Sequence, residues 1–328
     1  MGAEIIVIGE LNVDLVASGL HSEPKLGKEI LAADFRIALG SASAIFACGA
    51  ARLGHAITFI SKVGVDDFGR FCLNALQQVD ISTANVLQSQ ESTTGVTIVL
   101  STREDRALVT CLGAIAELRY SEIQAPLFQG HRHLHLTSYF LQHALRPDFL
   151  AIIRQAKQNG LTVSFDPNSD PSQAWGNDIW RIFAEVDIVF LNEVEALAIT
   201  QRAKLPDAVN ILEKATVCLV VKLGSKGAIG AQNGEKILVP GFKVQAIDTT
   251  GAGDTFAAGF VHGRLLGRGM AECLLLGNAA GALSTRGPGG TAGQVDQATL
   301  DKFVRENVPA DLQSFATQWP SLESEPEP

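Results

Sequence analysis

Short apolar runs that stop at glycine or at polar residues set the tightest limit on what this chain can fold into. Ile5-Ile6-Val7-Ile8 ends at Gly9, and Leu161 to Asp166, Asp187 to Leu191 and Val217 to Leu223 repeat the pattern. A continuous apolar run of that length fits a strand buried on both faces, as in a parallel sheet covered by helices. From residue 131 the alternation is regular: a strand at His133 to Thr137, a helix at Pro147 to Asn159, then Gly160 and the next strand. This predicts an α/β architecture. In such sheets ligands collect at the carboxyl ends of the strands. Asn12 and Asp14 follow the first run, alternating with Leu11, Val13 and Leu15, so both point to one side of an extended segment, either a solvated face or a ligand face. Tyr139, just past the His133 to Thr137 strand, is a candidate substrate contact by position.

Hydrophobic residues at 46% and charged residues at 19% describe a chain that folds unaided. A net charge of −9 without a basic run argues against nucleic acid or an anionic membrane as partner. It does not exclude a nucleotide, whose phosphates are held by local N–H groups and metal. The five cysteines show no CxxC spacing, so zinc and disulfides are not expected; buried reduced thiols in a cytoplasmic protein are. No targeting segment is expected at the N-terminus.

The stretch Asp248-Thr249-Thr250-Gly251-Ala252-Gly253-Asp254-Thr255-Phe256 carries the chemistry. Its glycines allow a tight turn and close approach to a ligand. Phe256, Gly259, Phe260 and Gly263 follow at helical spacing, which sets the amides of 251 to 253 at a helix N-terminus. Unpaired N–H groups and the macrodipole favour an anion there. Asp254 either complements that dipole or takes a proton from a hydroxyl that attacks the anion. Asn192-Glu193-Val194-Glu195 puts Asn192 and Glu195 on one turn of a starting helix, as a reciprocal cap or as a pair aimed at the strand ends. Gly224-Ser225-Lys226-Gly227 lacks P-loop spacing, so a nucleotide is not bound by that route. His131, His133 and His135 alternate without further His or Cys at metal spacing, and read as structural or solvated. Gly64 to Gly69 introduces a helix with Asp66 as N-cap.

The 248 to 254 string matches DTxGAGD, the C-terminal signature of the ribokinase/PfkB family of carbohydrate kinases, at every fixed position. The chain resembles that family over roughly residues 4 to 305. The resemblance implies a ribokinase-like three-layer α/β/α fold with a central, mostly parallel sheet and a small β-sheet lid. One domain is expected over residues 1–310, with lid segments at about 13–39 and 92–112, and a partly disordered tail at 311–328. It implies transfer of the γ-phosphate of ATP to a hydroxyl of a sugar or sugar acid, or alternatively of a nucleoside. Asp254 is then the catalytic base, and Gly251, Ala252 and Gly253 are the anion hole. Asn12, Asp14, Gly40, Ser41, Ile45 and Arg106 fall on the substrate side, with Tyr139. Asn168, Asn192, Lys222, Gly224, Gly227 and Asn278 fall on the nucleotide side. Glu195 and Asn192 organise Mg²⁺ through water, and Asp248 and Thr250 hold K⁺. Family lids often pair between subunits, which implies a homodimer.

Three positions depart from the family pattern. Gly40-Ser41 stands for a Gly-Gly pair, Ile45 for an asparagine that touches substrate, and Ser169 for an arginine after Asp166-Pro167-Asn168. An apolar side chain cannot replace a hydrogen bond to a sugar hydroxyl. A sugar- or nucleotide-binding regulator without chemistry is therefore the competing expectation, and the intact Asp254 string argues against it.

Overall fold

Ile6 and Ile8 face one side of the first strand and Ile5 and Val7 the other, and all four are fully buried, each pair in a separate hydrophobic cluster. The run is apolar throughout because helices cover both faces of the sheet. The structure, a computed structural model, describes residues 4–102, 106–308 and 317–318. In chain order its elements are β1 (Ile5–Ile8), β2 (Asn12–Ser18), β3 (Asp34–Leu39), α1 (Ala42–Arg52), β4 (Ile57–Gly64), α2 (Asp67–Gln77), β5 (Val86–Ser89), β6 (Gly95–Ser101) and β7 (Arg106–Cys111). There follow β8 (His133–Thr137), α3 (Phe149–Gln158), β9 (Thr162–Asp166), α4 (Asp178–Glu185), β10 (Ile188–Asn192), α5 (Glu193–Thr200), α6 (Leu205–Ala215) and β11 (Cys218–Lys222). The last are β12 (Ala228–Gln232), β13 (Glu235–Val239), α7 (Ala252–Leu265), α8 (Met270–Ser284), α9 (Gln297–Asn307) and β14 (Thr317–Gln318).

The main sheet runs β14-β13-β12-β11-β10-β9-β8-β1-β4-β5. It is parallel from β11 to β5 and antiparallel beyond β11. The chain leaves β1 toward β4 and β5 and then returns to β8 on the other side, so the strand order reverses at β1. That reversal opens a crevice at the carboxyl ends of the strands. One cluster joins the sheet to α3, α4, α5 and α6, and the other joins it to α1, α2, α7 and α8. This is the three-layer α/β/α arrangement, and β2, β3, β6 and β7 form the smaller sheet in the order β3-β2-β6-β7.

Asp66 anchors the smaller sheet. Its carboxylate caps α2 through the Gly69 amide at 2.7 Å and also accepts from the amide and hydroxyl of Thr94, just before β6. His133 and His135 are buried and share the Ser164 hydroxyl at 2.7 Å each, and no group of metal-binding side chains occurs among the described residues. Burial pushes His133 down to about 3, so it is a neutral structural link. At the start of α8 the Glu272 carboxylate accepts from the Gly269 amide. The expected tail at 311–328 lies outside the described residues, apart from Thr317 and Gln318, which pair with β13. Cys48, Cys72, Cys218 and Cys273 are buried free thiols and Cys111 is an exposed one. Among the described residues no helix is long and apolar enough to cross a membrane.

Candidate active site

Five strand ends deliver polar side chains to the crevice. Glu10 follows β1, Thr137 ends β8, Asp166 ends β9, Asn192 ends β10 and Lys222 ends β11, with Asn192 and Lys222 in register. The N-terminus of α7 closes the group from the helical layer. Gly251 holds its N-cap at φ 69°, a left-handed conformation that glycine adopts without penalty. Gly251, Ala252, Gly253 and Asp254 all keep a partial opening. Ala252 donates a long 3.3 Å bond to the Thr249 carbonyl, while no described group accepts from the amides of Gly251 or Gly253.

Charge is concentrated beneath these amides. Lys222 Nζ lies 2.5 Å from Asp166 Oδ2. Burial works against the ammonium, but Asp166, Glu195 and Asp254 outweigh it and raise its pKa. Burial pushes the Asp254 carboxyl up to about 8; the Lys222 charge opposes this, and the carboxylates of Asp166, Glu10 and Glu195 add to it. Glu195 is raised to about 7, again by burial first and by Asp166 second. A carboxyl tuned into the neutral range at the edge of an anion site can take up a proton there. Asn192 and Glu195 form a reciprocal cap, Glu195 N to Asn192 Oδ1 at 2.8 Å and Asn192 N to Glu195 Oε2 at 2.9 Å. Glu195 Oε1 takes no hydrogen bond from a described residue.

A cavity of about 500 Å³ opens on one side of Gly253. Lys222, Gly224, Gly227, Phe242, Asn278 and Thr285 are among its walls. Asn278 braces the wall by donating to the carbonyls of Val239 and Pro240 at 3.0 and 3.2 Å. Gly227 must lack a side chain, since a Cβ would stand 2.0 Å from the Val239 carbonyl oxygen at φ 105°. Asn168, also left-handed at φ 54°, accepts from the amide and hydroxyl of Ser138 and so ties the end of β9 to the end of β8.

The other side belongs to the small sheet. Asn12 and Asp14 are 5% and 8% exposed, so they are not a solvated strand face. Asn12 Nδ2 donates to Asp14 Oδ1 at 3.0 Å and reaches Thr97 Oγ1 at 3.4 Å. Burial raises Asp14 to about 6 against the Asn12 hydrogen bond and the Arg106 charge. Gly40 adjoins this pair so closely that a Cβ would stand 2.2 Å from Asp14 Oδ1. Two arginines cross from the small sheet to the signature loop: Arg36 pairs with Asp248, and Arg106 Nη1 donates to Thr250 Oγ1 at 3.0 Å. The sheet is folded down onto the site.

Some expected residues do other work. Tyr139 is 3% exposed, its hydroxyl donates to Asp178 Oδ2 at 2.5 Å and its ring packs on Phe149 and Phe165. The left-handed turn at Ser138, φ 52°, sends it to the far layer, which corrects its reading as a substrate contact. Ile45 is buried under the loop: a Cβ on Gly251 or Gly290 would stand 2.8 or 2.4 Å from its side chain. It supports the Gly251 turn and offers nothing to a hydroxyl. Ser41 caps α1 at φ 79° and donates to the Glu10 carbonyl at 2.5 Å, so a serine fills a left-handed position suited to glycine. Asp248 accepts from Arg36 and from the amides of Thr250 and Gly289 at 2.9 Å each. These three donors hold it below the ordinary aspartate value despite burial, and with Thr250 bonded to Arg106 the two side chains do not fit the K⁺ site expected for them. Glu10 was missed by the sequence reading. Its carboxylate accepts from the Ala42 amide at 2.7 Å and the Thr137 hydroxyl at 3.0 Å, joining α1 to β8.

Comparison with known proteins agrees with this arrangement. Residues 3–297 match the pfkB family carbohydrate kinases. The chain is 30% identical to a ribokinase of Haemophilus influenzae, over 87% of this chain and 92% of that one. It is 30% identical to a 2-dehydro-3-deoxygluconokinase of Bacillus subtilis (87% and 90%) and 32% identical to a fructokinase of Klebsiella pneumoniae (88% and 95%). Its fold is similar to that of Arabidopsis thaliana ribokinase complexed with ribose and ATP, with a TM-score of 0.80 at 23% identity over 93% and 99% of the chains. Sinorhizobium meliloti adenosine kinase is as similar, at 0.80 and 23% over 92% and 99%. The chain belongs to the PfkB family of carbohydrate kinases, and it is a phosphotransferase that acts on a sugar hydroxyl.

Proposed function

We propose that the protein transfers the γ-phosphate of ATP to a hydroxyl of a sugar or sugar acid, with Asp254 as base and the amides of Gly251 to Gly253 as anion hole. The observation that carries this reading is the position of Asp254 on the first turn of α7, next to Gly253 on the wall of the 500 Å³ cavity and within reach of the Lys222 charge. Glu10 acts on both Asp254 and Asp14, which links the base to the Asn12, Asp14 and Gly40 cluster under the small sheet. The acceptor hydroxyl loses its proton to the Asp254 carboxylate as its oxygen bonds the γ-phosphorus. The bond from that phosphorus to the β,γ-bridging oxygen breaks, and ADP leaves. Asn12 and Asp14 hold other acceptor hydroxyls, and the amides of Gly251 and Gly253, from which no described group accepts, meet charge growing on the transferred group, one good donor being worth about 10²–10³ in rate. The closed small sheet keeps water from competing.

Asn192 and Glu195 fit Mg²⁺ as outer partners. Both present hard oxygens, Glu195 has one oxygen without a protein donor, and Mg²⁺ is ordinarily held by one or two carboxylates together with phosphates and water. When bound, the ion neutralises charge on the β and γ phosphates.

Relatives named for ribose, fructose and 2-dehydro-3-deoxygluconate stand at 30–32% identity and do not favour one acceptor. A nucleoside acceptor is the second reading, favoured by the fold likeness to an adenosine kinase. A homodimer through the lid is also proposed. The sheet face turned from the site carries Phe35 at 61% and Val109 at 58% exposure, beside Ile37 and Ile98 in cross-strand register. Four buried free thiols favour a reducing compartment such as the cytoplasm. Mg-ATP turnover against a panel of sugars, sugar acids and nucleosides tests the reading. ADP formed with a sugar or sugar acid supports it, and binding without any phosphorylated product would favour a regulator.

A further inference from the structure

A buried ion pair stands directly under the anion-hole loop, where packed hydrocarbon of the same volume would stabilise the fold as well or better. Asp166 is 1% and Lys222 13% exposed. Lys222 Nζ is 3.3 Å from the point where a Cβ on Gly253 would stand, and Lys222 also lines the 500 Å³ cavity. Among the described residues Asp166 is the one hydrogen-bond partner of the ammonium, which leaves donors for a second acceptor. Its surroundings are one-sided: Asp166, Glu195 and Asp254 all act on this single cation. Two lysines, Lys222 and Lys243, line the cavity, and Lys222 is the one whose ammonium lies against Gly253, so a triphosphate that approaches Gly253 meets that charge at the amides themselves.

We propose that Lys222 is a catalytic residue: it binds the phosphoryl group in transit from beneath Gly253, shifting its hydrogen bonds from Asp166 toward the phosphate as charge develops. Asp166 is then a positioning residue that keeps the ammonium at that point in the free enzyme. This inference rests on the kinase reading above. Its alternative is that Lys222 only neutralises Asp166 so that the strand ends can pack.

Three proteins separate the two: the wild type, Lys222→Met, and the double variant Lys222→Met with Asp166→Asn. The double variant removes the Asp166 carboxylate together with its cation, so it relieves the nearest charge left by Lys222→Met and is expected to fold even where the single variant does not. The measurements are kcat and KM with Mg-ATP and an accepted sugar, the Kd of a non-hydrolysable ATP analogue, and Tm. Binding in transit predicts a kcat lower by about 10²–10³ in both variants, with the analogue Kd changed by less than about tenfold. It also predicts that the double variant regains Tm without regaining kcat. A double variant within about tenfold of the wild-type kcat overturns the assignment, as does an unimpaired Lys222→Met. If the wild type itself phosphorylates no sugar, sugar acid or nucleoside, the kinase reading fails first and this inference falls with it.

Discussion

Arg106 Nη1 donates to Thr250 Oγ1 at 3.0 Å, so the last strand of the small sheet is fastened to the loop that leads into α7. Arg36 on the opposite edge strand pairs with Asp248 two residues earlier, which makes a two-point latch. In the proposed role of the small sheet as a lid, opening breaks both contacts. Arg36→Ala is expected to raise KM for the acceptor and lower kcat by about tenfold each, because Asp248 also orders Thr250 and Gly289. Arg106→Ala removes the Thr250 hydrogen bond and the charge that acts on Asp14, so it too is expected to raise KM for the acceptor. Steady-state kinetics with amide exchange in β2 and β6 checks this. Faster lid exchange in both variants is expected, and unchanged exchange would mean the arginines do not hold the lid.

Gly40 faces the acceptor pair with no room for a methyl group, since an added Cβ would stand 2.2 Å from Asp14 Oδ1 and 2.5 Å from Asn12 Nδ2. Gly40→Ala should displace both side chains. KM for the acceptor is expected to rise by about tenfold or more, with the Kd of an ATP analogue unchanged. Equal losses on both substrates would place Gly40 outside the acceptor site.

The Asp254 carboxyl, pushed up to about 8 mainly by burial, gives two pH dependences. A base works ionised, so kcat/KM should rise with pH to a plateau above about 8. For stability the sign is opposite. The folded state holds this proton more tightly than the unfolded chain, so stability is greatest below the ordinary aspartate range and falls as pH rises toward about 8. Asp254→Asn removes that cost. Its Tm should exceed the wild-type Tm at about pH 8, by roughly 2–4 °C for each kcal/mol recovered, and match it near pH 4. Thermal melts across that range check the sign.

Phe35 and Val109 lie on the outer face of the small sheet, away from Asn12 and Asp14. Phe35→Lys with Val109→Lys should halve the molecular mass seen by sedimentation if that face joins two copies, with Tm of the chain little changed. A wild type that sediments as a monomer at micromolar concentration would remove the lid dimer.

Local pattern made much of this fold and site legible. The apolar runs named the strands because both sheet faces are covered, and the glycine-rich string named α7 because its φ 69° turn admits little else. Asn12 and Asp14 were paired by strand alternation alone. What escaped the sequence depends on contacts between distant segments. Glu10 looks like any polar residue after a strand until Ala42 and Thr137, 32 and 127 positions away, bury it. Arg36 meets its partner 212 positions later. Tyr139 failed for a local reason without a sequence signal: Ser138, not a glycine, takes the left-handed turn that swings it into the far layer.

The most direct measurement compares Asp254→Asn with the wild type in Mg-ATP turnover on an accepted sugar, alongside the Kd of an ATP analogue. The account predicts a kcat reduced by about 10²–10⁴ with the Kd within about threefold, because the amide keeps the shape of the site and loses the proton acceptor. Turnover within a few-fold of wild type would contradict the assignment of Asp254 as the base.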